Sequence, residues 1–155
     1  MEQHMHICLN GHCKFSAHHI DSKEFCEECG AQMIDRCQWC GSTIKEWVLR
    51  DVVIVGEIQY QRPAYCRKCG NPYPWTQSAI KAATEIIEEE ASFDKEQKEK
   101  LISSIPDVLA ETPRSKLAAI RFKNAMAKAG KVTGEVIRQF MLDFGCQLVK
   151  DILGL

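Results

Sequence analysis

Nowhere in its 155 residues does this chain hold an apolar run of the roughly 18 residues that a membrane-spanning helix requires. Its start, Met1-Glu2-Gln3-His4-Met5-His6, has neither the basic stretch nor the apolar run of a secretory signal. The expectation is a soluble, cytoplasmic protein without membrane association. Charge of one sign is missing as well: 20 basic residues stand against 21 acidic ones, so no bulk attraction to nucleic acid or anionic lipid is indicated. No phosphate-binding loop or nucleophile elbow is present, and no local motif sets a nucleophile beside a base and an orienting group. Histidine and tryptophan are absent beyond residue 76, where the only cysteine is Cys146.

What is present is concentrated between Cys8 and Cys69. Six cysteines form three Cys-x-x-Cys pairs, each followed by glycine: Cys26/Cys29 before Gly30, Cys37/Cys40 before Gly41 and Cys66/Cys69 before Gly70. Such a turn aims two sulfurs at one point, and the glycine takes a conformation that side chains resist, so each pair is half of a tetrahedral zinc site. In a reducing compartment, paired cysteines of this kind are metal ligands rather than a disulfide framework. Three halves need a fourth, and Cys8-Leu9-Asn10-Gly11-His12-Cys13 supplies it, with Cys8 and either His12 or Cys13. The Asn10-Gly11 turn favours His12, since it lets the imidazole reach the metal. His4, His6, His18 and His19 have no comparable pairing and are expected at the surface.

Loop length favours joining the halves consecutively, with an interleaved arrangement of the same eight ligands as the alternative. Consecutive pairing leaves 13 residues between His12 and Cys26 and 25 between Cys40 and Cys66, both ordinary for zinc ribbons. Joining Cys26/Cys29 to Cys37/Cys40 leaves 7 and forces the outer pair to close across the whole domain. The expected ligands are Cys8, His12, Cys26 and Cys29 for one zinc ion and Cys37, Cys40, Cys66 and Cys69 for a second. With seven thiolates and two zinc ions the folded protein is more acidic than its composition.

The rest of the chain divides at about residue 76. Trp47-Val48-Leu49, the apolar run Val52 to Val55 and the alternating Glu57 to Gln61 read as strands of an enlarged ribbon hairpin, with Gly56 as a bend and Arg62-Pro63 ending the pairing. Asn71-Pro72-Tyr73-Pro74-Trp75 stiffens the exit, its aromatic pair packing back on the second ribbon. Four helices follow. Thr76 caps the first, about 77 to 90; Asp94 with Gln97 forms a capping box for the second, which ends by Ser104, before Pro106. Thr112-Pro113 starts a third that Gly130 stops, and Thr133 opens a last helix to about 153, with Ile137, Phe140, Phe144, Leu148 and Ile152 on one face. The fold class is thus α+β: a double zinc-ribbon domain over residues 1–76 and a helical domain over 77–155, with a possible break near 106–113. Within the helical half, residues 77–112 carry 4 basic and 9 acidic residues, and 113–155 carry 8 and 3. In the third helix Arg114, Arg121 and Lys128 share a stripe at seven-residue spacing, available to the acidic segment or to a partner. Cys146 reads as a small buried hydrophobe.

The motifs Cys8-Leu9-Asn10-Gly11-His12, Phe25-Cys26-Glu27-Glu28-Cys29-Gly30-Ala31, Cys37-Gln38-Trp39-Cys40 and Pro63-Ala64-Tyr65-Cys66-Arg67-Lys68-Cys69-Gly70-Asn71-Pro72-Tyr73-Pro74-Trp75 resemble those of a bacterial family known only as a domain of unknown function. The zinc half is similar to double zinc ribbons in general. The resemblance covers residues 8 to 76 specifically and the helices loosely; it supports Cys8 and His12 as a half-site and implies no reaction.

Two closed four-ligand sites leave no coordination position for a reacting water. The expected function is therefore a non-enzymatic zinc-binding adaptor or regulator, docking a protein partner or a second copy through the C-terminal helices. Nucleic-acid binding is the alternative, with Trp39, Trp47, Tyr65 and Arg67 for stacking and phosphate contact. A third reading is a thiol/zinc redox switch, or an enzyme whose first site is open.

Overall fold

Residues 2–8 carry the alternation His4, Met5, His6, Ile7, which places two imidazoles on one face of a strand and two apolar side chains on the other. In the computed structural model, which describes residues 2–48 and 62–155, this segment is the central strand β1 (Glu2–Cys8). The strand β2 (Cys13–Ser16) pairs antiparallel along one side of it, in the register Ile7 to Cys13 and His4 to Ser16. Along the other side run β3 (Met33–Ile34), facing Ile7 and Cys8, and β4 (Glu46–Val48), facing Glu2 to His4. The strand Val52 to Val55 and the alternation from Glu57 to Gln61, read from the sequence as the enlarged hairpin, lie outside the described residues.

Both faces of β1 are covered, which corrects the expectation for its histidines. Met5 and Ile7 are buried with Ile34, Ile44, Tyr73 and Trp75. On the opposite face His4 and His6 are buried too, His6 to 1% exposure. The His6 Nε2 hydrogen-bonds the His18 carbonyl at 2.8 Å, and the His4 ring lies tilted against that of His19 with centroids 3.8 Å apart. His19 Nδ1 in turn lies 2.6 Å from Asp35 Oδ2, which also accepts the Ile20 N–H at 3.1 Å. Burial works to raise the Asp35 pKa, but the His19 bond, the Ile20 N–H and the neighbouring Arg36 hold it below the usual carboxylate value. A polar layer thus packs like a second core, and of these four histidines only His18 is exposed. The exit segment behaves as expected: Tyr73 and Trp75 are buried, stacked at 4.7 Å, with the Trp75 indole N–H donating to the Pro63 carbonyl at 2.9 Å.

The described chain falls into two compact units, Met1–Ser78 and Ala79–Leu155. Helix α1 (Pro74–Glu89) begins in the first and continues into the second. Its start lies upstream of the expected cap. Pro74 needs no N–H in the first turn, the Tyr73 carbonyl accepts from the Thr76 and Gln77 amides, and the Thr76 hydroxyl, inside the helix, donates to the Ala64 carbonyl at 2.8 Å.

In the second unit α2 (Lys95–Leu109) opens on the expected capping box, Asp94 accepting from Gln97 N while the Gln97 side chain accepts from Asp94 N. It does not stop before Pro106. The proline costs one hydrogen bond in the last turn, but Ile105, Val108 and Leu109 are buried there and hold that turn against the core. Next come α3 (Ser115–Lys128), α4 (Lys131–Phe144) and α5 (Gln147–Leu153). The expected last helix is therefore two. It starts at Lys131 rather than at Thr133, and it breaks at Gly145-Cys146, both extended. There the Cys146 N–H leaves the helix to bond the Val108 carbonyl at 2.8 Å, and a Cβ on Gly145 would run into the Met141 carbonyl. Of that stripe Ile137 is buried, and Phe140, Phe144 and Ile152 pack partly against the same core as Phe122, Leu101 and Met141; after the break Val149 is the buried residue, whereas Leu148 is half-buried. The basic stripe, with Arg114 at the cap of α3 and Arg121 and Lys128 within it, meets α2. Arg114 pairs with Asp107 at 3.5 Å, Arg121 donates to Ser104 Oγ at 2.8 Å, and Lys128 donates to Gln97 Oε1 at 2.7 Å.

Candidate metal centres

Three knuckles in the first unit repeat one backbone design. In each, the amide of the glycine donates to the carbonyl of the first cysteine, at 2.8 Å for Gly30, 2.9 Å for Gly41 and 2.9 Å for Gly70. The first cysteine's own amide donates to the residue after the glycine: Cys26 to Ala31, Cys37 to Ser42 and Cys66 to Asn71. All three glycines have φ near +70°, which a side chain would oppose. Single bridges, Phe25 with Gln32, Arg36 with Thr43 and Tyr65 with Pro72, close the small hairpins. The fourth turn is a variant, with Gly11 donating to the Cys8 carbonyl and Cys8 N–H to the His12 carbonyl, so that the second donor is four positions after the first.

These turns bring together two clusters of four donors, Cys8, His12, Cys26 and Cys29 in one and Cys37, Cys40, Cys66 and Cys69 in the other; the donor atoms of each lie within 4.8 Å of one another. A tetrahedron of metal–sulfur bonds at the length zinc makes has a sulfur–sulfur edge of about 3.8 Å, and a sulfur–nitrogen edge of about 3.6 Å. The Cys37–Cys69, Cys40–Cys66 and Cys8–Cys29 sulfurs are each 3.7 Å apart. His12 Nδ1 lies 3.5 Å from Cys8 Sγ, 3.3 Å from Cys29 Sγ and 3.6 Å from Cys26 Sγ. Two centres able to hold one metal ion each, compatible with zinc-ribbon sites, follow from these distances. Cys13 is not in the first cluster; its Sγ faces the Gly11 carbonyl at 3.6 Å.

The donors are supported by a ring of hydrogen-bond donors that the sequence reading passed over. Asn10 Nδ2 approaches Cys29 Sγ at 3.4 Å, and Asn71 Nδ2 approaches Cys69 Sγ at 3.5 Å. Ser42 Oγ is 3.0 Å from Cys40 Sγ and 3.4 Å from Cys66 Sγ. The amides of His12 and Lys68 donate to Cys8 and Cys66. The far ring nitrogen of His12, Nε2, faces Glu28 Oε2 at 3.7 Å, the arrangement that leaves Nδ1 free to bind metal. The only signal for these groups was position: each asparagine or serine adjoins a knuckle.

That ring acts on the thiols. The Ala31 N–H, then the Asn10 carboxamide, pull Cys29 down to about 6. The Ser42 hydroxyl, then the N–H groups of Cys69 and Lys68, bring Cys66 to about 5. Burial pushes Cys37 up to about 11 and raises Cys8. Each centre therefore joins a readily ionised sulfur to one whose ionisation burial opposes, so a cation is the natural counter-charge for the set.

The rims of the two centres differ in charge. Glu27 and Glu28 occupy the knuckle tip of the first, whereas Gln38 and Trp39, with Arg67 and Lys68 in the facing knuckle, occupy the second, and all six are exposed. Trp39 is 66% exposed, and Phe25, beside the first centre, is 58% exposed. The side chain of Trp47 lies outside the described residues. Among the described residues no helix is long and apolar enough to cross a membrane.

No curated protein and no solved structure matches the chain. A family model described as an uncharacterized protein conserved in bacteria, DUF2321, matches residues 1–153, and it is to this bacterial family that the chain belongs.

Proposed function

We propose that the chain is a non-enzymatic zinc-binding adaptor, in which two structural zinc ions per chain fix the first unit as a rigid surface for a protein partner. The observation that carries this reading is closure. Each centre gathers four donors at tetrahedral spacing, whereas a catalytic zinc keeps a position for water. Sulfur-rich donor sets select zinc over harder cations, and a reducing cytoplasm keeps the cysteines available as thiolates. Docking uses the exposed Trp39 and Phe25 beside the centres, together with Leu117 and Ile120 on α3 and Val132 and Val136 on α4. The test is recovery of the tagged holo-protein from its native host. A partner that also binds the purified protein, and is lost from Trp39→Ala or from Leu117→Ser with Ile120→Ser, supports the adaptor. Recovery of the chain alone, monomeric in sedimentation, refutes it.

One observation favours a second reading, nucleic-acid binding at the second centre: the two knuckles that form it carry exposed Trp39 on one and exposed Arg67-Lys68 on the other, a ring for stacking and two cations for phosphate. Absorbance at 260 and 280 nm on the native material, with Trp39 quenching by an oligonucleotide, separates the two. The thiol/zinc redox reading rests on the same sulfurs and requires that oxidation expel the metal.

A further inference from the structure

We propose that the groove between α2 and α3 in the helical unit binds a small organic anion, one negatively charged head on a flat apolar body. This site is separate from the metal centres and independent of the adaptor reading.

The groove is an open cleft of about 230 Å³. A dry cavity of about 150 Å³ accommodates a benzene ring, so this space suits one ring with a charged substituent. Its apolar lining comes from Phe93, which precedes α2, from Leu101 on α2 and from Ala125 on α3; all three belong to the buried core. These three keep only 4–6% of their surface exposed, a narrow apolar floor on which the flat part of a ligand can rest.

The rim supplies the charge. On α3, Arg121, Ala125 and Lys128 recur at four- and seven-residue spacing and so share one face, and Lys100 stands opposite on α2. Among the described residues no acidic one lines the groove. Lys100 is neutralised by Glu96 one turn away, but among the described residues no carboxylate lies within ion-pair distance of Arg121 or Lys128. Both are held in place by neutral acceptors instead: Arg121 by Ser104 Oγ and the Lys100 carbonyl, Lys128 by Gln97 Oε1. Two positioned cations whose charge is not balanced, above an apolar floor, match an aryl or short acyl group bearing a carboxylate or a phosphate.

The experiment is a chemical-shift titration of the metal-loaded full chain with phenyl phosphate and with benzoate, against inorganic phosphate and phenol as controls. Saturable binding of at least one of the two aryl anions, with shifts centred on residues 93–101 and 121–128, is expected, and the stronger of the two identifies the head group. Lys128→Gln should weaken that binding by about tenfold or more, the cost of one charged hydrogen bond. Asn124→Phe, which narrows the groove mouth while keeping every charge, should abolish it with the fold intact. The proposal is overturned by equal binding of inorganic phosphate, which would mean charge without a pocket, or by equal binding of phenol, which would mean a pocket without charge recognition. It is equally overturned if neither aryl anion saturates by about 10 mM, a weak limit for a ligand of this size, or if Lys128→Gln and Asn124→Phe both bind as the parent does.

Discussion

Stripping the metal from the holo-protein should unfold residues 1–78 and leave the helices of the second unit standing. Among the described residues the non-cysteine core of the first unit is small, comprising Met5, Ile7, Met33, Ile34, Ile44, Tyr73 and Trp75, and no strand is longer than 7 residues. The four most deeply placed cysteines, Cys8, Cys26, Cys37 and Cys66, belong to the same clusters, so the metal donors and the core are one structure. Structural zinc sites contribute roughly 10–16 kcal/mol apiece near neutral pH, against about 5–15 kcal/mol for the whole stability of a typical domain. Loss of both ions therefore exceeds any reserve the strands hold. The helical unit has no donor in either cluster and keeps its own core around Ile105, Val108, Phe122 and Met141. Far-UV circular dichroism and tryptophan fluorescence, with and without a strong chelator, read the two units separately. Trp39 is already exposed, so the red shift should come from Trp75, which is 2% exposed and stacked on Tyr73. Helical ellipticity should lose no more than the first turns of α1. Mild acid should act as the chelator does, because protons compete with the metal for the thiolates. Unchanged Trp75 emission after verified metal loss would refute the reasoning.

Further outcomes follow from single positions. His12→Ala removes a donor and should weaken the first centre by more than the roughly 10–100-fold typical of an outer-shell change, while Cys13→Ser leaves metal affinity unchanged; competition with a zinc indicator measures both. Gly145→Ala forces a Cβ onto the Met141 carbonyl and should destabilise the helical unit by about 1–3 kcal/mol in urea unfolding; an unaffected midpoint would show that the α4–α5 break adjusts freely. Hydrogen bonds from the Thr133 hydroxyl, then Ser92, lower Glu90 to about 2 from its ordinary 4.5. A depressed carboxylate pKa stabilises the fold above 4.5, and the contribution fades as pH falls toward 2. Glu90→Gln should accordingly flatten the acid limb of helical-unit stability between those values, measured by urea midpoints.

The cysteine pairs were legible because each knuckle is local: Cys-x-x-Cys-Gly contains its own turn, and loop lengths alone gave the grouping into Cys8, His12, Cys26, Cys29 and Cys37, Cys40, Cys66, Cys69 that the geometry brings together. What failed depended on partners distant in sequence. His4 and His6 read as surface residues because nothing nearby says that His18 and His19 will pack on their face of the strand, or that Asp35 will meet His19. Pro106 read as a stop, since its local cost is visible and the burial of Val108 and Leu109 is not. Gly145 read as interior to one helix because the hydrogen bond that ends it, from Cys146 to Val108, crosses from another helix. The capping box at Asp94 and Gln97, again a local device, was read correctly.

Elemental analysis of protein purified without added metal shows whether the four half-sites close around two zinc ions. Two zinc ions per chain are expected, falling toward one in a Cys66→Ser, Cys69→Ser variant that keeps the first centre. A stoichiometry of one or less in the parent chain, or a predominance of another metal, would contradict that expectation.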